Sequence, residues 1–119
     1  MINKDKEVGG THYADMKIEP IELIQALKLD FFQGSIVKYV SRYKNKNGIE
    51  DLKKASHYCQ WCIDHDMCYS LDIDNSQSLM VDMYCDINNL ADLENIIIES
   101  AVCCDYVRCL DEINNLMKR

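Results

Sequence analysis

The chain has 119 residues, of which 48% are hydrophobic and 28% are charged, and its formal net charge is −7. This length and composition predict one globular domain, residues 1–119, rather than a disordered chain. The acidic charge disfavours duplex nucleic acid as a partner, and no apolar run is long enough to span a membrane, so we expect a cytoplasmic protein with no membrane partner.

The charge is divided unevenly along the sequence. Residues 1–58 contain ten Lys or Arg and eight Asp or Glu, whereas residues 59–119 contain three and twelve. This asymmetry predicts a small anion site in the first half and a solvated or assembly-forming second half. The seven cysteines, an odd number without a secretory leader, predict free thiols in a reducing compartment.

The first half of the chain contains signals for an arm and three helices. Residues 1–17 lack apolar periodicity and predict an N-terminal arm, and Pro20 then fits the first turn of a helix that ends near residue 29. Asp30 and Gln33 have the spacing of a capping box, which predicts a second helix over residues 31–44. A turn at residues 45–48 precedes a third helix that reaches about residue 67.

The second half predicts a polar loop over residues 70–78, a fourth helix from about residue 79 to 90, and a last helix from residue 92 to the C-terminus. Apolar residues in the last helix recur at every seventh position, namely Ile96, Cys103, Leu110 and Met117. The predicted fold is therefore an all-α bundle of about five helices with a long C-terminal helix. That helix is expected to be buried in the core or against a partner chain, and its heptad pattern predicts a homo-oligomer.

Two cations on the second helix are candidate phosphate ligands. Lys38 and Arg42 lie one helical turn apart, so an ammonium and a guanidinium can grip adjacent phosphate oxygens. A solvated helix face is the alternative explanation for this pair. Gly34, in the first turn of the same helix, weakens it and predicts that a ligand or a backbone segment approaches closely there.

Other polar residues also have two interpretations. His12 and Tyr13 follow a Gly-rich arm and either cover a ligand or pack on the core. Lys53 and Lys54 follow Glu50 and Asp51 at helical ion-pair spacing, which favours a solvated surface. The tyrosines of the two basic helices are expected to lie mostly in the core with their hydroxyls at its edge; they are Tyr39, Tyr43 and Tyr58.

Metal-binding patterns are present only in fragments. His57, Cys59, Cys62 and His65 include the ligand types that zinc prefers, but both cysteines fall on the apolar side of the third helix, where thiols are ordinary core residues. The polar loop resembles the beginning of a calcium loop, yet it lacks the required Gly and bidentate Glu. We expect no metal site.

A series of short motifs runs through residues 11–66: His12-Tyr13, Ile18-Glu19-Pro20-Ile21, Leu29-Asp30-Phe31, Gly34, Lys38-Tyr39, Arg42, Lys46, and Glu50 to Ala55 followed by Tyr58. In this order the motifs resemble a small domain that is widespread in bacteriophages and occurs in the nucleotide kinase of some short-tailed phages. The resemblance implies that His12, Tyr13, Lys38 and Arg42 line a nucleotide site, with Glu19 and Asp51 as supporting carboxylates. Residues 67–119 then form an acidic helical extension.

Three functions follow as hypotheses. The resemblance implies a phage protein in the host cytoplasm that binds a nucleotide as a nucleoside monophosphate kinase-like enzyme with ATP as co-substrate. The lack of a recognisable metal or catalytic motif, together with a helix suited to oligomer formation, motivates the second hypothesis, a non-catalytic protein that sequesters a cyclic nucleotide used in host defence. The third hypothesis is a module that binds a host protein through the acidic second half. The residues do not assign a catalytic group, and no cofactor is expected beyond that ATP.

Overall fold

The computed structural model describes residues 16–119 of the chain. Within this range it contains no β-strand, which confirms the all-α prediction, and the predicted arm with His12 and Tyr13 falls largely outside the described residues. The six α-helices are α1 (Pro20–Leu27), α2 (Phe31–Arg42), α3 (Ile49–Asp64), α4 (Asn75–Ile87), α5 (Asp92–Val102) and α6 (Tyr106–Met117), and a short 3-10 helix, Tyr43–Asn45, follows α2.

The start of α2 was predicted correctly. Asp30 accepts a hydrogen bond from the Gln33 backbone N–H at 2.8 Å, and the Gln33 side chain accepts one from the Asp30 N–H at 2.9 Å. This reciprocal capping box satisfies two of the N–H groups that a helix leaves without intrahelical partners. At its other end α2 stops at Arg42, two residues earlier than expected, because the backbone tightens into the 3-10 helix.

The predicted start of α4 was wrong. Asp74 and Gln77 form a second capping box, with backbone-to-side-chain distances of 2.8 and 3.0 Å, so the helix begins at Asn75 and not near residue 79. The Asp74 carboxylate, which lies in the segment that resembled a calcium loop, is therefore a helix cap. The polar composition of residues 75–78 had concealed the first turn of this helix.

The long C-terminal helix was also predicted wrongly, since residues 92–117 form the two helices α5 and α6. Cys104 has a left-handed backbone with φ 58°, and the N–H of Asp105 donates to the Ser100 carbonyl at 2.9 Å. Together these features close α5. Asp105 then caps α6 by accepting from the Arg108 N–H at 3.2 Å. The apolar heptad continues across the break because both helices bury their inner faces within the chain.

The core lies between α2, α3, α5 and α6, which pack on one another, while α1 and α4 lie on the outside. Fully buried apolar side chains of these four helices include Ile36, Val37, Val40, Leu52, Ala55, Cys59, Cys62, Ile97, Ile98, Ala101, Tyr106, Cys109 and Ile113. The outward faces of α2 and α3 therefore lie side by side. None of the helices in residues 16–119 has the length and apolarity needed to cross a bilayer.

Candidate functional site

Two tyrosine rings stack across the outer faces of α2 and α3. The ring of Tyr39 lies 6.2 Å from that of Tyr58 between centroids, and the two planes differ by only 9°. Both side chains are half-buried, so each ring packs along the helices and still reaches solvent. The pair provides a flat aromatic wall on the protein surface.

Three cations approach the Tyr39 ring. The distances to its centroid are 5.1 Å for the Lys38 Nζ, 4.8 Å for the Arg42 Cζ and 5.4 Å for the Lys54 Nζ. Each lies within the range in which the negative face of an aromatic ring attracts a cation. The half-buried Lys38 and the exposed Lys54 can still reach a ligand. We refer to Tyr39, Tyr58, Lys38 and Lys54 as the Tyr39 site.

A shallow pocket of ≈ 370 Å³ opens beside this site. Tyr39, Tyr58 and Lys54 line it together with three polar residues of α3, which are Glu50, Lys53 and His57. Its volume lies near the lower end of the range for small-molecule pockets. Lys53 is paired with Glu50 at 3.4 Å on the exposed rim, so the expectation of a solvated ion pair is confirmed for Lys53.

Arg42 lies in a buried ion pair. Its Nη2 is 3.3 Å from the Oδ1 of Asp51, and Asp51 is fully buried. The other carboxylate oxygen of Asp51, Oδ2, accepts a hydrogen bond from the Asn47 N–H at 3.3 Å. The pair links the end of α2 to the first turn of α3. The two residues that we expected to serve the ligand therefore meet each other, with the guanidinium behind the Tyr39 ring.

The remaining predicted site residues lie elsewhere or outside the described range. Gly34 is buried against α1, where an added Cβ would meet the half-buried Ile24 side chain at 3.4 Å, so its close neighbour is a helix side chain. Glu19 is buried immediately before α1, and its N–H donates to the Glu22 carboxylate at 2.6 Å. Of the described candidates, only Lys38, Arg42 and Asp51 are brought together.

The cysteines and histidines that resembled zinc ligands separate in the structure. Cys59 and Cys62 lie in the core, as expected, and burial raises the pKa of the Cys62 thiol to about 11. His57 packs edge-on against Tyr58, and His65 stacks on Trp61 with 3.6 Å between ring centroids. Among the described residues, no group of His, Cys, Asp and Glu has the arrangement of a metal site.

An aromatic row continues from the Tyr39 site along α3. Its rings are in stacked or edge-to-face contact, with centroid separations between 3.6 and 6.4 Å, and they belong to Phe31, Phe32, Tyr58, Trp61 and His65. The exposed fraction is 67% for Phe31 and 38% for Trp61. Sequence reasoning missed this row because Phe31 and Phe32 of α2 meet Tyr58 and Trp61 of α3 only across the contact between the two helices.

A second basic pocket lies beside the α2–α3 connection, next to the end of α6. It has a volume of ≈ 570 Å³, and its cations are Lys44, Lys46 and Arg119. The carboxylate of Glu94, which is almost fully buried, accepts a hydrogen bond from the Tyr43 hydroxyl at 2.8 Å. Burial and this carboxylate raise the pKa of Tyr43. The Lys44 Nζ lies 3.8 Å from this carboxylate, so part of the positive charge of the pocket is already balanced.

The structure defines an all-α bundle that carries a basic aromatic surface on α2 and α3. Residues 8–60, which include both helices down to Gln60, match the family model described as a protein of unknown function, DUF3310. The match supports a small-domain family of unknown function for this part of the chain. Comparisons with curated proteins and with solved structures find no significant match.

Proposed function

We propose that the protein binds a nucleotide at the Tyr39 site. The observation that carries this proposal is the convergence of three cations on one tyrosine ring that is stacked on a second tyrosine beside a pocket. A nucleotide combines a flat aromatic base with an anionic phosphate. The Tyr39 site offers a partner for each of these groups.

The base would stack on the tyrosine wall. Aromatic side chains bind bases of any identity through their faces, and each such stack contributes about 1–3 kcal/mol. Glu50 and His57 at the pocket rim are suited to accept or donate hydrogen bonds to the polar edge of the base or to a ribose hydroxyl. The aromatic row extends the stacking surface toward Phe31 and Trp61.

The phosphate would lie between Lys38 and Lys54. Their ammonium groups approach the same ring from α2 and α3, so an anion between them is attracted from both sides. Arg42 adds positive potential from behind the ring, although its charge is largely balanced by Asp51. In this proposal the phosphate is bound by Lys38 and Lys54, whereas the sequence predicted Lys38 and Arg42.

The geometry favours retention of the nucleotide over phosphoryl transfer. The Arg42 guanidinium, which we expected to grip phosphate oxygens, lies 3.3 Å from Asp51, and residue Arg42 is only 7% exposed. A phage protein that sequesters a nucleotide signal is thus the preferred form of the proposal. A monophosphate kinase-like activity with ATP is the second form, motivated by the resemblance.

Calorimetric titration with nucleoside monophosphates, ATP and cyclic nucleotides tests the proposal. Tyr39→Leu removes the stacking face and is expected to weaken binding by at least about tenfold, whereas Tyr39→Phe keeps the ring and stays within about threefold of the parent. Lys54→Met should weaken binding, and Lys28→Gln, which removes an equal charge just after α1, should not. Absence of binding by every nucleotide would overturn the proposal.

Chromatography of the same mixtures separates the two forms. Recovery of the unchanged nucleotide from the parent protein supports retention. Formation of nucleoside diphosphate from ATP and a monophosphate would replace retention with the kinase-like form.

A further inference from the structure

Helix α4 carries apolar side chains on two of its faces. Val81, Tyr84 and Cys85 are buried against the rest of the protein. Four further apolar side chains are exposed by 40–58%, and they are Leu79, Met80, Met83 and Ile87. We call these four residues the α4 stripe.

The α4 stripe is continuous along the helix. At about 100° per residue its members fall within a sector roughly 100° wide, which is the width of the apolar face that a surface helix normally buries. The sector lies opposite the face that carries Val81 and Cys85. The α4 stripe therefore has the pattern of a packed helix face but is open to solvent in this chain.

Acidic residues border the α4 stripe. Asp82 and Asp86 lie along one side of it and are exposed, and Asp72 and Asp74 are exposed just before the helix begins. The sequence from residue 55 to residue 107 contains no Lys or Arg but ten Asp or Glu. A partner of this face would therefore meet carboxylates beside an apolar centre, with Lys17 and Lys44 near the Ile87 end alone.

The acidic residues beside the α4 stripe restrict the class of partner that can bind there. An anionic membrane or a nucleic acid would be repelled, and two copies joined through the same face would bring their acidic borders together. A basic amphipathic helix complements both features, because its apolar side covers the α4 stripe and its Lys or Arg residues pair with the aspartates. Methionines such as Met80 and Met83 adapt well to the side chains of such a helix.

We propose that the α4 stripe is a docking surface for a basic amphipathic helix of a protein partner. This proposal is independent of nucleotide binding, which uses the opposite charge and different helices. It gives the acidic second half of the chain a specific surface and a specific chemical class of partner.

Fluorescence anisotropy with a labelled helical Leu/Lys model peptide tests the proposal on the full chain. The peptide is expected to bind at low salt, and the Leu79→Gln/Met83→Gln double variant should bind at least about tenfold more weakly. Asp86→Asn should reduce affinity and its salt dependence. A Leu/Glu peptide of the same pattern should not bind.

Val107→Gln provides the matched control, because Val107 is an equally exposed apolar residue on α6. It should bind the Leu/Lys peptide like the parent. Equal binding by the parent and the double variant, or no binding by the parent, would overturn the proposal. Sedimentation showing a dimer that dissociates only in the double variant would assign the α4 stripe to a second copy of the chain and would also overturn it.

Discussion

The ion pair between Arg42 and Asp51 connects two helices of the fold, whereas the sequence predicted that both residues bind a ligand. Both side chains are at least nine-tenths buried, and the ion pair joins two consecutive helices. Sequence spacing placed Lys38 and Arg42 on one helix face correctly. It could not reveal that a carboxylate nine positions later would reach Arg42, because that contact depends on the angle of the turn between α2 and α3.

Removing the guanidinium should be costly. In an Arg42→Met variant the buried Asp51 carboxylate loses its counter-charge, and we expect the free energy of unfolding to fall by about 3 kcal/mol. Urea denaturation measures the change. Lys53→Met breaks an exposed pair and should change stability by less than about 0.5 kcal/mol. Equal effects of the two variants would show that the buried pair does not stabilise the fold.

Adjacent lysines illustrate a second limit of sequence reasoning. Lys53 pairs with Glu50 as helical spacing predicts, whereas Lys54 approaches the Tyr39 ring. Both have acidic residues three or four positions earlier, so their local sequence is equivalent. Their difference arises because neighbouring residues of a helix point about 100° apart and only one of them faces α2.

At the level of elements, local signals predicted the start of α2 but missed the start of α6. The capping box at Asp30 was recognised and fixed the start of α2, but the cap at Asp105 was missed because apolar residues continue through Cys103 and Cys104. The turn there also depends on tertiary contacts, since the Tyr69 and Leu71 N–H groups donate to the carbonyls of these cysteines. Such contacts leave no periodic pattern.

The end of α1 provides a test of helix termination. Lys28 follows the helix with a left-handed backbone, φ 54°, which favours glycine. We expect Lys28→Gly to raise the free energy of unfolding by about 0.5 kcal/mol. Lys118 follows α6 with a right-handed backbone, φ −79°, and Lys118→Gly should lower stability. Thermal denaturation of both variants measures the contrast, and stabilisation by both would refute this account.

For the molecule as a whole, the buried thiols predict a loss of stability at alkaline pH. Burial raises the pKa of Cys62 to about 11 and that of Cys85 to about 12, above the ordinary value of 9.0. The folded state thus keeps protons that the unfolded chain releases. Stability is fully present below about pH 9 and should decline as the pH rises toward 11–12.

Denaturation midpoints at pH 7.5 and pH 10 measure this decline. Because lysines and tyrosines also titrate in this range, the comparison between variants isolates the thiol contribution. Cys85→Ala should reduce the difference between the two midpoints, and Cys68→Ala, at an exposed cysteine, should leave it unchanged. A difference that is the same in both variants would contradict the assignment to buried thiols.

The two proposed surfaces lie in the two halves of the chain that differ in charge. The basic Tyr39 site lies on α2 and α3, and the acidic α4 stripe lies in the second half. The predicted homo-oligomer remains a prediction, and the long helix on which it rested is instead two helices with buried inner faces. Composition could predict the division of charge, but only the packing of α2 on α3 places lysines around a tyrosine.

The most direct test of the Tyr39 site is a ¹H–¹⁵N NMR titration of the full chain with a mixture of nucleoside monophosphates and cyclic nucleotides. We expect the largest shift changes at the amides of Lys38, Tyr39, Lys54 and Tyr58 and at the indole of Trp61. Shift changes confined to the pocket of Lys44, Lys46 and Arg119, or no shift changes at saturating nucleotide, would contradict the account.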